Sequence, residues 1–263
     1  MIILFLIYFV FTSFCEQDQK IVTFLNGPYK ELLFNFVCNL EKLGLDRNLH
    51  VFLADYSLVD YLKKKKISYE VIKDIVYYNR SSSYSEKNYW YISKQKTRAF
   101  EKAGKIFKSF LFSDVDVLFL RNPINYLQKH CLTDICFQSD SKRGNKFVNS
   151  GFFYVKKTQK TDIFFEKASN LLNHSKFKKL GDQDIINFLL KSPEFKFIYS
   201  YLDRTEFPNG SNNTLWKNEI NTLLQQNPTI YVIHNNWIKS KKSKIERLRK
   251  ISAWYANGEK CEF

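Results

Sequence analysis

From residue 20 to residue 112, strand patterns alternate with helical ones, which restricts the chain to an α/β sheet with parallel crossovers. Residues 20–25 (Lys-Ile-Val-Thr-Phe-Leu) are β-branched and aromatic and read as a strand closed by Asn26-Gly27-Pro28. Residues 29–43 carry apolar side chains at helical spacing (Leu32, Leu33, Phe36, Leu40, Leu43) and stop at Gly44. A second strand is expected over 50–54, a short amphipathic helix over 58–64 and a third strand over 68–72. The Asn/Ser/Tyr-rich stretch 78–87 reads as a loop, 93–103 as a polar helix ending at Gly104, and 108–112 as a buried strand. Later segments repeat the pattern less regularly, with strands predicted over 134–138, 151–155 and 229–233 and helices over 162–172 and 182–190. No internal repeat or low-complexity linker interrupts this order, so residues 16–263 are expected to form one domain with two lobes.

The strand over 108–112 runs into Asp114-Val115-Asp116, after which the chain is apolar again from Val117 until Arg121-Asn122-Pro123. Two aspartates one residue apart can share a hard cation that keeps positions open for phosphate oxygens. Solvated loop aspartates are the commoner explanation of such a pair taken alone. In parallel sheets, however, ligands bind beyond the carboxyl ends of strands, where both Asn26 and Asp114 to Asp116 fall. Neither a Gly-x-Gly-x-x-Gly nor a Walker fingerprint follows the first strand. A nucleotide bound here would therefore need a metal to hold its phosphates.

Hydrophobic content of 44% and aromatic content of 17% suit a packed globular chain of 263 residues rather than a disordered one. The net charge of +15 favours phosphate-bearing or polyanionic partners, or an anionic membrane surface. No zinc-finger or RNA-recognition signature accompanies the basic residues, so nucleic acid is not an expected partner. The run Lys63 to Lys66 reads as a solvated face. Residues 2–11 form an uncharged apolar run, followed by Thr12-Ser13-Phe14-Cys15. This is read as a secretory signal occupying residues 1–15, although its n-region lacks Lys and Arg, which keeps a buried strand or a short anchor as alternatives. Cys38, Cys131, Cys136 and Cys261 then remain, and four cysteines allow three pairings that spacing does not decide. Asn79, Asn173, Asn209 and Asn212 each begin an Asn-x-Ser/Thr sequon, in keeping with a lumenal or secreted protein.

Three further segments stand out after the paired aspartates: Val148-Asn149-Ser150-Gly151-Phe152, Gly181-Asp182-Gln183-Asp184, and Ile233-His234-Asn235-Asn236-Trp237. Each has an ordinary explanation. Asn-Ser-Gly is usually a turn, Asp182 can be a helix cap, and a lone His at a strand end is more often packed or exposed. In this order, and with Leu120-Arg121-Asn122-Pro123 and Phe207-Pro208-Asn209-Gly210, the segments resemble the nucleotide-diphospho-sugar transferase family. These are retaining glycosyltransferases of the GT-A fold related to glycosyltransferase family 77. The similarity extends from Val22 to Trp254. One departure is that Lys239-Ser240 stand where the family commonly has a Gly shortly after its Trp-Ile step.

The resemblance implies a Rossmann-like, mixed but mainly parallel sheet flanked by helices. It also implies transfer of a sugar from a UDP-sugar to a glycan, protein or lipid acceptor in the lumen of the secretory pathway, or after secretion. Asp114, Asp116 and His234 would hold Mn²⁺ or Mg²⁺, the imidazole tilting the choice toward Mn²⁺. Lys96 and Lys244 would contact the diphosphate through charge-assisted bonds, and Thr23 and Asn26 would lie near the base. Asn149, Ser150 and Gly151 would border the donor sugar. Gln183, a feeble nucleophile, would position and stabilise the anomeric centre, with Asp182 orienting donor or acceptor. Peripheral association with Golgi membrane is compatible with this reading. The alternatives are a catalytically inactive nucleotide-sugar- or glycan-binding protein on the same fold, and a basic secreted protein that binds polyanions through charge alone.

Overall fold

The β-branched and aromatic run that opens the sheet forms β1 (Gln19–Leu25), whose last five residues are buried. A strand covered on both faces is mostly apolar, as Ile21, Val22, Phe24 and Leu25 are here, with Thr23 the one buried polar residue. The computed structural model describes residues 19–72, 87–177, 179–196 and 198–263. The proposed signal segment 1–15, the sequon at Asn79 and all but the last residue of the expected loop 78–87 lie outside them.

After β1 come α1 (Lys30–Lys42), β2 (Leu49–Leu53), α2 (Val59–Lys65), β3 (Ser68–Val71), α3 (Lys87–Ile106), β4 (Ser109–Ser113), β5 (Val117–Phe119), α4 (Ile124–His130), β6 (Ile135–Ser139) and β7 (Val148–Lys156). They are followed by α5 (Gln159–Asn173), α6 (Asp182–Leu189), β8 (Tyr199–Tyr201), α7 (Ile220–Gln226), β9 (Val232–His234), α8 (Lys241–Lys250), β10 (Ala256–Asn257) and β11 (Lys260–Cys261). The main sheet has the order β3-β2-β1-β4-β7-β6-β8. The first four strands are parallel, and β7 is antiparallel to both β4 and β6, giving the mixed, mainly parallel sheet that was expected. A separate antiparallel pair joins β5 to β9.

Apolar side chains fill both faces of the sheet. Leu32, Leu33, Phe36, Val37 and Leu40 of α1 cover one face. Ala99, Phe100 and Ala103 of α3, with Phe164, Phe165 and Ala168 of α5, cover the other. Phe112 and Phe153, on neighbouring strands, stack at 5.2 Å between ring centroids under the edge of Phe100, a packing worth more than its buried area alone.

Two local expectations are corrected. Gly104 does not end α3, which continues to Ile106; tertiary packing offsets the roughly 1 kcal/mol that an interior glycine costs. Asn149-Ser150-Gly151 is no turn but lies inside β7, between Val148, which pairs with Ser139 of β6, and Phe152, which pairs with Ser113 of β4. By contrast Gly44, at φ +68°, stops α1 as expected. The cysteines pair Cys38–Cys261, which ties the C-terminal hairpin to α1, and Cys131–Cys136, which closes the short loop into β6. Asn173 and Asn212 are exposed. Asn209 is buried, and its amide donates to the carbonyls of Ser139 and Ser141 (2.7 and 3.2 Å), so this sequon is inaccessible in the fold.

Candidate active site

Strand register brings the acidic pair and the histidine together. β4 hands over to Asp114, whose N–H donates to Gly151 O of β7 at 2.7 Å. The chain turns through Val115 and Asp116 into β5, and Val117 pairs with His234 of β9. Asn235 N–H donates to Asp116 O at 3.0 Å, locking the crossing. One ligand atom each from Asp114, Asp116 and His234 lie within 4.8 Å of one another. A Cβ at residue 151 would sit 2.3 Å from Asp114 Oδ2 and 2.7 Å from His234 Cε1. Only glycine leaves room there.

Two partly buried lysines answer the two aspartates. Lys96, from α3, lies 2.7 Å from Asp114 Oδ1 and 3.2 Å from Asp182 Oδ2. Lys244, from α8, lies 2.6 Å from Asp116 Oδ2. Burial opposes the charge of both lysines, yet the facing carboxylates outweigh it and raise both pKa values. Burial likewise works against the Asp116 carboxylate, but Lys244 first and His234 second hold its pKa well below the usual range.

Gln138 settles which nitrogen of His234 faces the aspartates. Its Nε2 donates to the carbonyls of Phe207 and Pro208, both at 3.1 Å. Its Oε1 is therefore turned to His234 Nδ1, 2.8 Å away, and accepts a hydrogen bond from Nδ1–H. In the neutral ring Nε2 then points a lone pair at Asp116 Oδ1, 3.4 Å away. That lone pair can ligate a cation shared with the carboxylate, whereas the protonated ring donates Nε2–H to Asp116 instead. This donor set, two carboxylates and an imidazole held by an outer amide, fits a divalent metal.

Beside this cluster, Asp182 at the start of α6 accepts from Ser150 Oγ at 2.7 Å. Gln183 is held from both ends. Its Oε1 accepts from Ser150 N–H (3.2 Å) and its Nε2 donates to Asp140 Oδ2 (2.8 Å). Asp140 Oδ1 also accepts from Asn149 Nδ2, Asn236 Nδ2 and Trp237 Nε1 at 3.0–3.1 Å. Behind the histidine loop, Asn235 Nδ2 donates to Lys244 O (2.9 Å) and Arg247 Nη1 to Asn236 O (3.2 Å), which fastens the loop to α8.

A cleft of about 910 Å³ opens over these groups, lined by Lys96, Asp114, Asn149, Ser150, Gly151, Asp182, Gln183, His234 and Lys244. Asp116 lies buried behind Asp114 and His234. Thr23 and Asn26 are not in the lining. They are buried at the end of β1, and Thr23 Oγ1 and both amide atoms of Asn26 lack a hydrogen-bond partner among the described residues. Sequence reasoning missed Asp140 and Gln138. Asp140 follows β6 as Asp114 follows β4, so the strand-end rule that singled out Asp114 applies to it equally. Nothing in the local sequence marks Gln138, whose part depends on a histidine nearly a hundred residues away.

The profile of the nucleotide-diphospho-sugar transferase family matches residues 44–248. The chain belongs to this family. The beta-arabinofuranosyltransferase RAY1 of Arabidopsis thaliana is 28% identical over 91% of this chain and 48% of its own length. The UDP-galactose:fucoside alpha-3-galactosyltransferase of Dictyostelium discoideum is 21% identical over 95% of this chain and 45% of its own. The chain thus spans about half the length of these relatives. A crystal structure of the galactosyltransferase LgtC, in complex with donor and acceptor sugar analogs, superposes with a TM-score of 0.56 at 15% identity, covering 89% of this chain and 94% of that one. The fold is accordingly that of the GT-A glycosyltransferases.

In this nucleotide-diphospho-sugar transferase the missing glycine after Trp237-Ile238 has a structural counterpart. Ser240 adopts φ +64°, a region that favours glycine, and its Oγ accepts from Ser243 N–H (3.2 Å) to start α8. A serine there costs about 1–3 kcal/mol of backbone strain. Lys244 nevertheless reaches Asp116.

Proposed function

We propose that the chain is a metal-dependent retaining glycosyltransferase that moves a sugar from a UDP-sugar to a glycan, glycoprotein or glycolipid acceptor in the lumen of the secretory pathway. The observation that carries this reading is the meeting of Asp114, Asp116 and His234 with Lys96 and Lys244 at one cleft. Asp114, Asp116 and His234 would hold Mn²⁺ or Mg²⁺, which when bound supplies Lewis-acid neutralisation of charge on a departing diphosphate. Lys96 and Lys244, already protonated and partly buried, exchange their aspartate contacts for phosphate oxygens. The polar atoms of Thr23 and Asn26 at the end of β1, unpartnered among the described residues, fit a role near the base. Asn149, Ser150 and Gly151 border the donor sugar.

Gln183 is fixed by Ser150 and Asp140 with its amide beside the sugar subsite, an arrangement suited to steadying a positive anomeric centre. Asp182, buried and bonded to Ser150 and Lys96, orients the donor. In a front-face retaining reaction the departing phosphate takes the acceptor proton, and no side-chain base is required. Two disulfides fit an oxidising lumen. Among the described residues no helix is long and apolar enough to cross a membrane.

The decisive experiment is calorimetric titration of the protein with UDP, with and without Mn²⁺, followed by a screen of UDP-sugars for hydrolysis. Manganese-dependent UDP binding with turnover supports the reading, whereas binding without turnover of any UDP-sugar points to a catalytically inactive binding protein. Gln183→Ala is expected to slow turnover by about 10²–10³ while UDP affinity changes less. An unchanged rate removes Gln183 from the anomeric centre.

A further inference from the structure

Asp140 stands where three segments of the cleft meet. It follows β6, is half-buried, and lines the cleft together with Asn149, Gln183, Asn236 and Trp237. Its Oδ1 accepts from Asn149 Nδ2 of β7 and from Asn236 Nδ2 and Trp237 Nε1 of the histidine loop. Its Oδ2 accepts from Gln183 Nε2 of α6. None of these four donors carries a charge, so dipoles answer the carboxylate.

The polarity of each amide is fixed from its other end. Asn149 Oδ1 accepts from Gly151 N–H (2.7 Å), Asn236 Oδ1 from Gly210 N–H (2.6 Å) and Gln183 Oε1 from Ser150 N–H (3.2 Å). A backbone N–H only donates, so each amide must turn its oxygen to the backbone and its NH₂ to residue 140. The indole N–H of Trp237 is likewise only a donor. Residue 140 therefore has to accept on both sides. An ionised aspartate does so, with two acceptor oxygens and no donor, whereas asparagine, of the same shape, has one oxygen and one NH₂.

The consequence falls on Gln183. Its two anchors leave Oε1 beside Asn149-Ser150-Gly151, the segment assigned to the donor sugar, and take up its NH₂ on Asp140. The oxygen is the negative end of the amide, and Ser150 N–H engages one of its two lone pairs. A reversed amide would present an NH₂ to the same centre and oppose positive charge there. We propose, building on the donor-site reading above, that Asp140 is a positioning residue for sugar transfer. It sets Gln183 with its oxygen, not its NH₂, toward the donor sugar, and through Asn236 and Trp237 it ties that setting to the loop that follows His234.

Asp140→Asn tests this. The new oxygen stays with the three donors now on Oδ1, which leaves the new NH₂ against Gln183 Nε2, donor to donor. Reversing the Gln183 amide only moves the conflict to Ser150 N–H. Turnover is measured in Mn²⁺ with whichever of UDP-galactose, UDP-glucose, UDP-xylose and UDP-arabinose the wild-type protein hydrolyses fastest. The variant's kcat should fall about 10²–10³-fold, as for Gln183→Ala, while donor KM and Mn²⁺-dependent UDP binding change little, because the histidine loop keeps its bonds. The double variant Asp140→Asn with Gln183→Ala should be no slower than Gln183→Ala alone, since residues that act as one unit do not add.

A wild-type kcat in Asp140→Asn overturns the proposal. So do losses that multiply in the double variant, which would make Asp140 act independently of Gln183. A loss of UDP binding as large as the loss of kcat also overturns it, making Asp140 a support of the whole cleft. If Asp140→Asn does not fold, adding Gln183→Glu puts an acceptor-only group back between residue 140 and Ser150 N–H. That pair should regain the melting temperature, and failure to regain it overturns the proposal. A wild-type protein that binds UDP but hydrolyses none of the four sugars fails at the transferase reading itself and takes the proposal with it.

Discussion

Lys244 Nζ and Asp116 Oδ2 lie 2.6 Å apart, 128 residues distant in sequence, and each supplies the other's countercharge in a buried site. Asp116 is almost inaccessible, so removing the lysine strands a charge that burial penalises. Lys244→Met is therefore expected to destabilise the metal-free protein by about 3 kcal/mol, with Mn²⁺ restoring much of the loss. Thermal unfolding in EDTA and in Mn²⁺ checks this, and an unchanged midpoint in EDTA would show that the pair is not a stabilising contact.

The same pair changes what Asp116→Asn should do. The substitution is isosteric, and sequence alone would expect the fold to be untouched. With Lys244 facing it, the variant should instead lose stability in EDTA and also lose both Mn²⁺-dependent UDP binding and turnover. Full turnover in EDTA would remove the metal from the mechanism.

Gly151→Ala places a methyl group where Asp114 Oδ2, His234 Cε1 and Asn149 Oδ1 now stand at 2.3, 2.7 and 2.9 Å. Asp114 is the partly exposed member and can swing aside. Because the His234 ring is buried and cannot swing with it, the expected result is a folded protein destabilised by about 1–3 kcal/mol, with no Mn²⁺-dependent UDP binding on calorimetry. A variant that still binds UDP as the wild type does would mean that Asp114 and His234 need not approach each other here.

Gln138→Leu removes the acceptor that holds the proton on His234 Nδ1. Loss of such an outer partner typically lowers metal affinity about 10- to 100-fold. Mn²⁺ titration should reveal this, and nitrogen-15 spectra of the ring should show a mixture of tautomers in place of one. Retention of the single tautomer in the variant would assign the proton's position to another contact.

His50 gives a pH signature separate from the active site. It is buried, bonded through Nδ1 to Ser68 Oγ at 2.8 Å, and its Nε2 has no partner among the described residues. Burial is the main cause that lowers its pKa from 6.5 to about 4. Above pH 6.5 folded and unfolded forms are both neutral at this residue, and its contribution is intact. As pH falls from 6.5 toward 4 the unfolded chain takes up a proton that the fold refuses, so stability is lost across that window, by on the order of 3 kcal/mol. His50→Gln should flatten that part of the stability curve in denaturant titrations. Parallel curves for the two proteins would refute the assignment.

Strand–helix alternation up to Phe112, the aspartate pair, the Asn-Ser-Gly segment, Asp182-Gln183 and the histidine segment were all legible in the chain, because each rests on local periodicity or on a short run of chemically distinctive residues. Strand ends were legible for the same reason, and they placed Asp114 and Asp116 beyond the carboxyl end of a strand, the position where ligands generally bind in such sheets. Tertiary structure alone decided that β7 runs antiparallel through Asn149-Ser150-Gly151, and that β5 and β9 pair so that His234 meets Asp116. It alone joined Cys38 to Cys261, buried Asn209, gathered four donors onto Asp140 and turned Gln138 toward the histidine. Those outcomes depend on register and packing between segments far apart in sequence. Local propensity carries no term for such contacts, so the chain announces its candidate ligands but not the partners that fix their charge, tautomer and position.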